Sequence, residues 1–348
     1  MKKILLFFCI ALLWSCSRMD VLPSNPIEHF AIQEKVRPTK VVNLEKFDIL
    51  RPGCCIKYGE WYVFSDYGDM NNHIKFLSSD FTKVISGIRD GNGPTDVIGA
   101  FSIFAIDDSI YVCDPNHKKM MVVDVVDDSL NVKVCSNGSM LNICCHPLMK
   151  NRFIDETFID SSMYQLKDKD GNIIMRIDYP NDKNLKDLSY IAQNSIYFNT
   201  KFCVSPDKKK YAFGVCFTGM YGFGSIINND SITLDKTIPY YSLDIDEIID
   251  YGGDRVMPSN KSMVNIGSCT GSEKYAIFSY EGHPYGDIDR YANSIFLYTW
   301  NGEPYMRLDV GDDNVSFISY DSERNTIIGI AHNPEAQLVE YDMNGIIK

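Results

Sequence analysis

Positive charge is in short supply in this chain: 34 Lys and Arg stand against 46 Asp and Glu over 348 residues, a formal net charge of -12. That sign is wrong for tracking a phosphate backbone, so no nucleic acid partner is expected. Apolar runs are short as well. The longest, Ile4 to Leu13, is only half of the about 20 residues that a membrane-crossing helix needs. Catalytic signatures are missing: there is no G-x-S-x-G elbow, no H-E-x-x-H helix and no Walker loop. Gly91-Asn92-Gly93-Pro94 lacks the Lys-Ser/Thr of a phosphate cradle and reads as a tight turn between strands. Asp168 to Asn172 opens like a calcium loop but lacks the later bidentate Glu, and reads as a hairpin turn. Helical periodicity is nearly absent, with one candidate at Ser242 to Asp250. What remains is 45% hydrophobic, too much for a disordered chain.

The amino terminus has the layout of a secretory signal, with Lys2 and Lys3 ahead of the apolar run. The run ends in Leu13-Trp14-Ser15-Cys16, which resembles the lipobox of bacterial lipoproteins. In that family the cysteine is acylated and becomes the new amino terminus. The resemblance implies a signal peptide over 1–15 and lipidation at Cys16. It also implies a membrane anchor through that lipid, in the cell envelope, on an outer-membrane lipoprotein facing periplasm or cell surface. Residues 16–37, with Pro23 and Pro26 and few aromatics, read as a flexible tether, which leaves 38–348 for the folded domain.

Beyond Cys16 lie Cys54, Cys55, Cys113, Cys135, Cys144, Cys145, Cys203, Cys216 and Cys269, an odd number that cannot all pair within one chain. Most sit in β-branched and aromatic runs, where cysteine behaves as a small hydrophobe. Adjacent pairs do not supply zinc-site spacing. One or two disulfides stay open on this reading.

Strand signals dominate, and they recur. Trp61 to Asp66 followed by Ile74 to Leu77 matches Ser109 to Asp114 followed by Met120 to Val123. Weaker copies begin near Arg152, Lys210, Lys274 and Thr326. Turn chemistry such as Trp300-Asn301-Gly302 accompanies them. A four-stranded cycle repeating every about 40–50 residues is a propeller pattern. The expectation is all-β, six blades (seven as the alternative) of four antiparallel strands. Lys40 to Phe47 is expected to close the last blade and remove an open sheet edge. Ser109 to Asp124 resembles an NHL repeat, and Cys203 to Gly214 resembles the SPDG phrase of TolB-like repeats. Together with the lipobox, the chain resembles TolB-like six-bladed propeller lipoproteins of the Bacteroides type, a resemblance that implies a fold but no shared reaction.

Function is expected on loops carried by that rigid scaffold. The loops of the fourth and fifth repeats are long and aromatic. Tyr221, Phe223, His283, Tyr285, Asp287, Asp289, Arg290 and Tyr291 are the candidate ligand-binding residues, suited to stacking on a sugar or peptide and bonding its polar groups. This favours a binding module for an unknown protein, peptide or glycan, with no cofactor and no catalytic residue. The alternative is a hydrolase or lyase that resembles the lactonase-type propellers, with calcium in the central channel and Asp66, Asp114 and Asn199 as candidate ligands. His73, His117, His283 and His332 are all expected in loops gathered on one face.

Overall fold

The computed structural model describes residues 25–347, apart from 100, 107–108, 138–144, 157–160, 181–187, 241–248, 253–254 and 288–289. The signal segment and Cys16 lie outside these residues. Six four-stranded antiparallel units follow one another along the chain, and each expected repeat forms the second and third strands of one unit. The first strands of the six units are Pro52–Tyr58, Ser102–Ile106, Cys145–Met149, Thr200–Val204, Met263–Gly271 and Val315–Asp321. Each touches the next, and the last touches the first, which closes a ring. The fold is a six-bladed β-propeller.

A chain of this length would overfill one hydrophobic core, and the ring divides the burial among six. Side chains alternate across a strand, so every blade packs both neighbours. In Trp61–Asp66, Tyr62 and Phe64 pack toward blade six while Val63 packs toward blade two. In Lys210–Val215, Tyr211, Phe213 and Val215 pack toward blade three and Ala212 toward blade five.

Ring closure follows the expected scheme. Lys40–Asn43 pairs antiparallel with Ala336–Asp342 as the outer strand of blade six. A polar latch reinforces the seam. Tyr62 of blade one donates its hydroxyl proton to Glu340 of blade six, and Arg324 donates to Glu340 (3.0 Å), to Asp321 (2.7 Å) and to the Tyr62 oxygen (2.9 Å). Burial opposes the Asp321 charge, but the hydrogen bonds and positive charge of Arg324 prevail and hold its pKa below the usual range.

Three local features differ from the sequence reading. The later part of the expected tether is packed: Gln33–Lys35 adds a parallel strand to Pro304–Asp309 of blade five, and Phe30 is buried against Phe296 and Tyr298. Pro26–His29 forms a 3-10 turn capped by Asn25. The expected helix at 242–250 falls mostly outside the described residues, and its last two positions begin the strand Ile249–Gly252. An unexpected helix, Tyr190–Ile196, is capped by the Ser189 hydroxyl and buries Ala192 and Ile196 against blades three and four. Ser189 was the signal available for it.

Candidate functional site

Connections between blades, and the loops joining second to third strands, emerge on the same face of the ring. At the closure seam this face holds a groove of about 570 Å³. Glu45 reaches it from the turn after the closing strand, Leu50 to Pro52 from the start of blade one, and Tyr67 from the end of that blade's second strand. His332 comes from the end of the second strand of blade six, Pro334 and Glu335 from the loop after it, and Tyr291 from the blade-five loop. The Tyr291 ring stacks on His332 at 4.5 Å and 25°. Its backbone N–H donates to Asn314 Oδ1 at 2.6 Å. His332 Nε2 is hydrogen-bonded to Ser316 Oγ at 2.8 Å, and burial lowers the imidazole pKa, so the ring is uncharged at neutral pH. Tyr67 is tethered by its hydroxyl to the Phe101 carbonyl at 3.0 Å. Arg51 and the flanking Glu45 and Glu335 are exposed, and the Arg51 side chain has no ion-pair or hydrogen-bond partner among the described residues. The groove therefore offers a fixed aromatic pair, a second ring, one available cation and two carboxylates.

Only Tyr291 of the expected ligand-binding residues lines this groove. Tyr285 is 46% exposed but turns toward blade four, edge-on to Phe217 at 5.5 Å. Arg290 lies on the rim, 3.5 Å from Asp287, and Asp289 lies outside the described residues. Tyr221 and Phe223 correct the sequence reading: they belong to the strand Met220–Asn228, not to a loop, and are 0% and 1% exposed. Their alternation with Gly222 and Gly224 is the reason. Rings project toward blade five, while on the opposite side any side chain at Gly222 or Gly224 would collide with the rings of Phe213 or Tyr211. His283 is likewise buried, with its ring nitrogens 3.0 Å from Glu281 Oε2 and 3.0 Å from the Pro284 carbonyl.

The four histidines do share one face, but only His73 and His117 lie in loops. His283 and His332 sit at the ends of the strands Tyr275–Pro284 and Thr326–His332, where the second strand runs on further than expected. Partners come from other segments, Asn92 for His117 (3.2 Å) and Ser316 and Tyr291 for His332. His73 Nδ1 donates to the Asp66 carbonyl and His117 Nδ1 to Asp114 Oδ2. Asp66 accepts from the N–H groups of Leu50, Arg51 and Gly68, and Asp114 from those of Ile98, Asn116 and His117. These aspartates brace the connections that lead into their own blades. Asn199, with a left-handed backbone (φ 64°), accepts from Lys201 Nζ at 2.8 Å. The three candidate calcium ligands are thus on different blades with their oxygens committed elsewhere. The central channel, about 420 Å³, is lined by Lys201, His146, serines, threonine, cysteines and apolar residues, with no carboxylate among them. Among the described residues no group of three or more His, Cys, Asp or Glu is placed to hold a metal, so the residues present do not fit the calcium reading.

Sequence reasoning missed Arg51, Tyr67, Glu45 and Glu335. The Asp66-Tyr67 step and the Pro334 loop were visible, but nothing local ties them to the closure seam.

A six-bladed propeller with a polar groove at its closure defines the class. The TolB-like 6-blade propeller-like family matches residues 62–323, and the chain belongs to it. No curated protein matches the sequence. Among solved structures, a luciferin-regenerating enzyme is similar at a TM-score of 0.50 and 9% identity, over 87% of this chain and 94% of that one. The β-propeller domain of Myceliophteria thermophila Cps50 (Swd1) is similar at 0.46 and 8%, over 84% and 83%. At 9% identity the likeness to the luciferin-regenerating enzyme is one of fold.

Proposed function

We propose that this protein is a lipid-anchored, exported binding module, held in the cell envelope through Cys16, whose closure groove takes a glycan or peptide segment. The observation that carries the ligand reading is the Tyr291–His332 stack set beside Tyr67 and the exposed Arg51 cation, whose side chain has no partner among the described residues. Aromatic faces contribute stacking area at small entropy cost, and a fork-shaped guanidinium bonds carbonyl or carboxylate oxygens. The lipobox and the acidic body support a domain tethered to the membrane and held off its anionic surface. Export is tested by metabolic labelling with an alkyne fatty acid: wild type takes up label and Cys16→Ser does not. Binding is tested on arrayed glycans and peptides. Wild-type protein should capture a defined class, and Arg51→Ala with Tyr291→Ala should lose at least about tenfold in affinity. Equal capture by the double variant removes the groove from the proposal.

A further inference from the structure

We propose that Cys203 and Cys269 form a reversible disulfide across the wall of the central channel, joining blades four and five. Both are free thiols on the first strands of adjacent blades, and both line the channel. The two strands touch, and both side chains belong to the hydrophobic cluster that joins blades four and five. Cys113 and Cys145 also share a cluster, but both are buried there, whereas Cys269 is partly exposed. Cys54 and Cys55 are consecutive in one strand, so their side chains leave opposite faces. Cys54 is bonded to Ser65 Oγ at 3.1 Å, and Cys55 is buried in the closure seam. Cys113 is buried between blades two and three, and the exposed Cys135 donates to the Met120 carbonyl.

Access and order of reaction follow from exposure. Cys269 is partly exposed and Cys203 is buried. The Cys269 sulfur attacks a low-molecular-weight disulfide that enters the channel, forming a mixed disulfide and releasing one thiol. Cys203 then attacks the Cys269 sulfur, the new S–S bond forms, and the second thiol leaves. The two cysteines lose two electrons and two protons, and the small disulfide gains them as two thiols. Burial pushes the Cys269 thiol well above its ordinary value, the neighbouring Cys203 adds to this, and Lys201 opposes it. Exchange is therefore slow near neutrality and faster in alkali. The product adds a covalent link between two blades that meet through a shared hydrophobic cluster and through polar contacts such as Asn265 N–H to the Cys216 carbonyl (2.9 Å). The disulfide depends on neither the groove nor export.

The experiment incubates the purified full chain with oxidised glutathione at about pH 9, alkylates free thiols under denaturing conditions, and maps the peptides. The expected result is one reducible cross-linked pair containing Cys203 and Cys269. Cys203→Ser and Cys269→Ser must each abolish it, with Cys269 left as a glutathione adduct in the first. Recovery of both wild-type cysteines as alkylated thiols, as stalled glutathione adducts, or joined to other cysteines overturns the proposal.

Discussion

Between blades four and five, Tyr221, Phe278 and Tyr298 interlock, with ring centroids 5.0 to 5.2 Å from Tyr221, and Phe223 completes the layer. At the seam between blades six and one, Tyr67 and Tyr291 stand over an open groove instead. Both regions are rich in aromatics and glycine or proline, and only one leaves its rings lining an open groove. The difference is one of register. Tyr221 and Phe223 are two positions apart in a strand whose other side is filled by rings from a neighbouring strand. Tyr291 lies in the loop between Tyr275–Pro284 and Ser294–Thr299, where its ring stacks on His332 and stays half-buried at the groove. Composition marks an aromatic segment; the neighbour across the blade decides what it does.

Substitutions at the two sites should separate sharply. The largest expected effect is at the buried layer: Tyr221→Ala or Phe223→Ala should lower unfolding free energy by about 3–5 kcal/mol, since each leaves a large cavity. Urea denaturation measures it, and a loss under about 1 kcal/mol would mean that the layer is not packed. The latch comes next. Arg324 is partly exposed, so solvent screening holds Arg324→Ala to about 1–2 kcal/mol. The pH dependence gives a second reading. Asp321 has a depressed pKa when folded. Its contribution is therefore present above the ordinary carboxylate range and is lost as pH falls through the lower folded value. Arg324→Ala should flatten that acid limb in pH-dependent denaturation curves.

Tyr291→Ala inverts the pattern of Tyr221→Ala. Its stability change should stay within about 1 kcal/mol, while affinity for whatever the wild-type groove captures on the arrays drops about tenfold. The smallest effect is expected at Tyr285→Ala, with stability within about 0.5 kcal/mol and capture unchanged. A Tyr285 variant that lost binding would move the site from the seam to the rim between blades four and five.

Much of the fold was legible in the sequence because a strand's alternation and a turn's chemistry are local. The six recurring phrases became the second and third strands of six blades, and Lys40–Asn43 closed the ring. The docked segment at 25–36 was not legible, since Phe30 and Val36 gain their burial from blades far along the chain. Of the candidate site, Tyr291 could be read in advance. Arg51, Tyr67 and His332 meet it only because the closure brings both ends of the propeller together.

By itself, the sequence determined the all-β class, the blade number and the closing strand, because period-two burial and turn residues act within a few positions of one another. The tertiary structure decided which rings are core and which face solvent, how the aspartates of the loops are spent, and that Cys203 and Cys269 share the cluster between blades four and five. Those outcomes depend on which blade stands beside which, a relation between residues far apart in the chain that ring closure alone imposes.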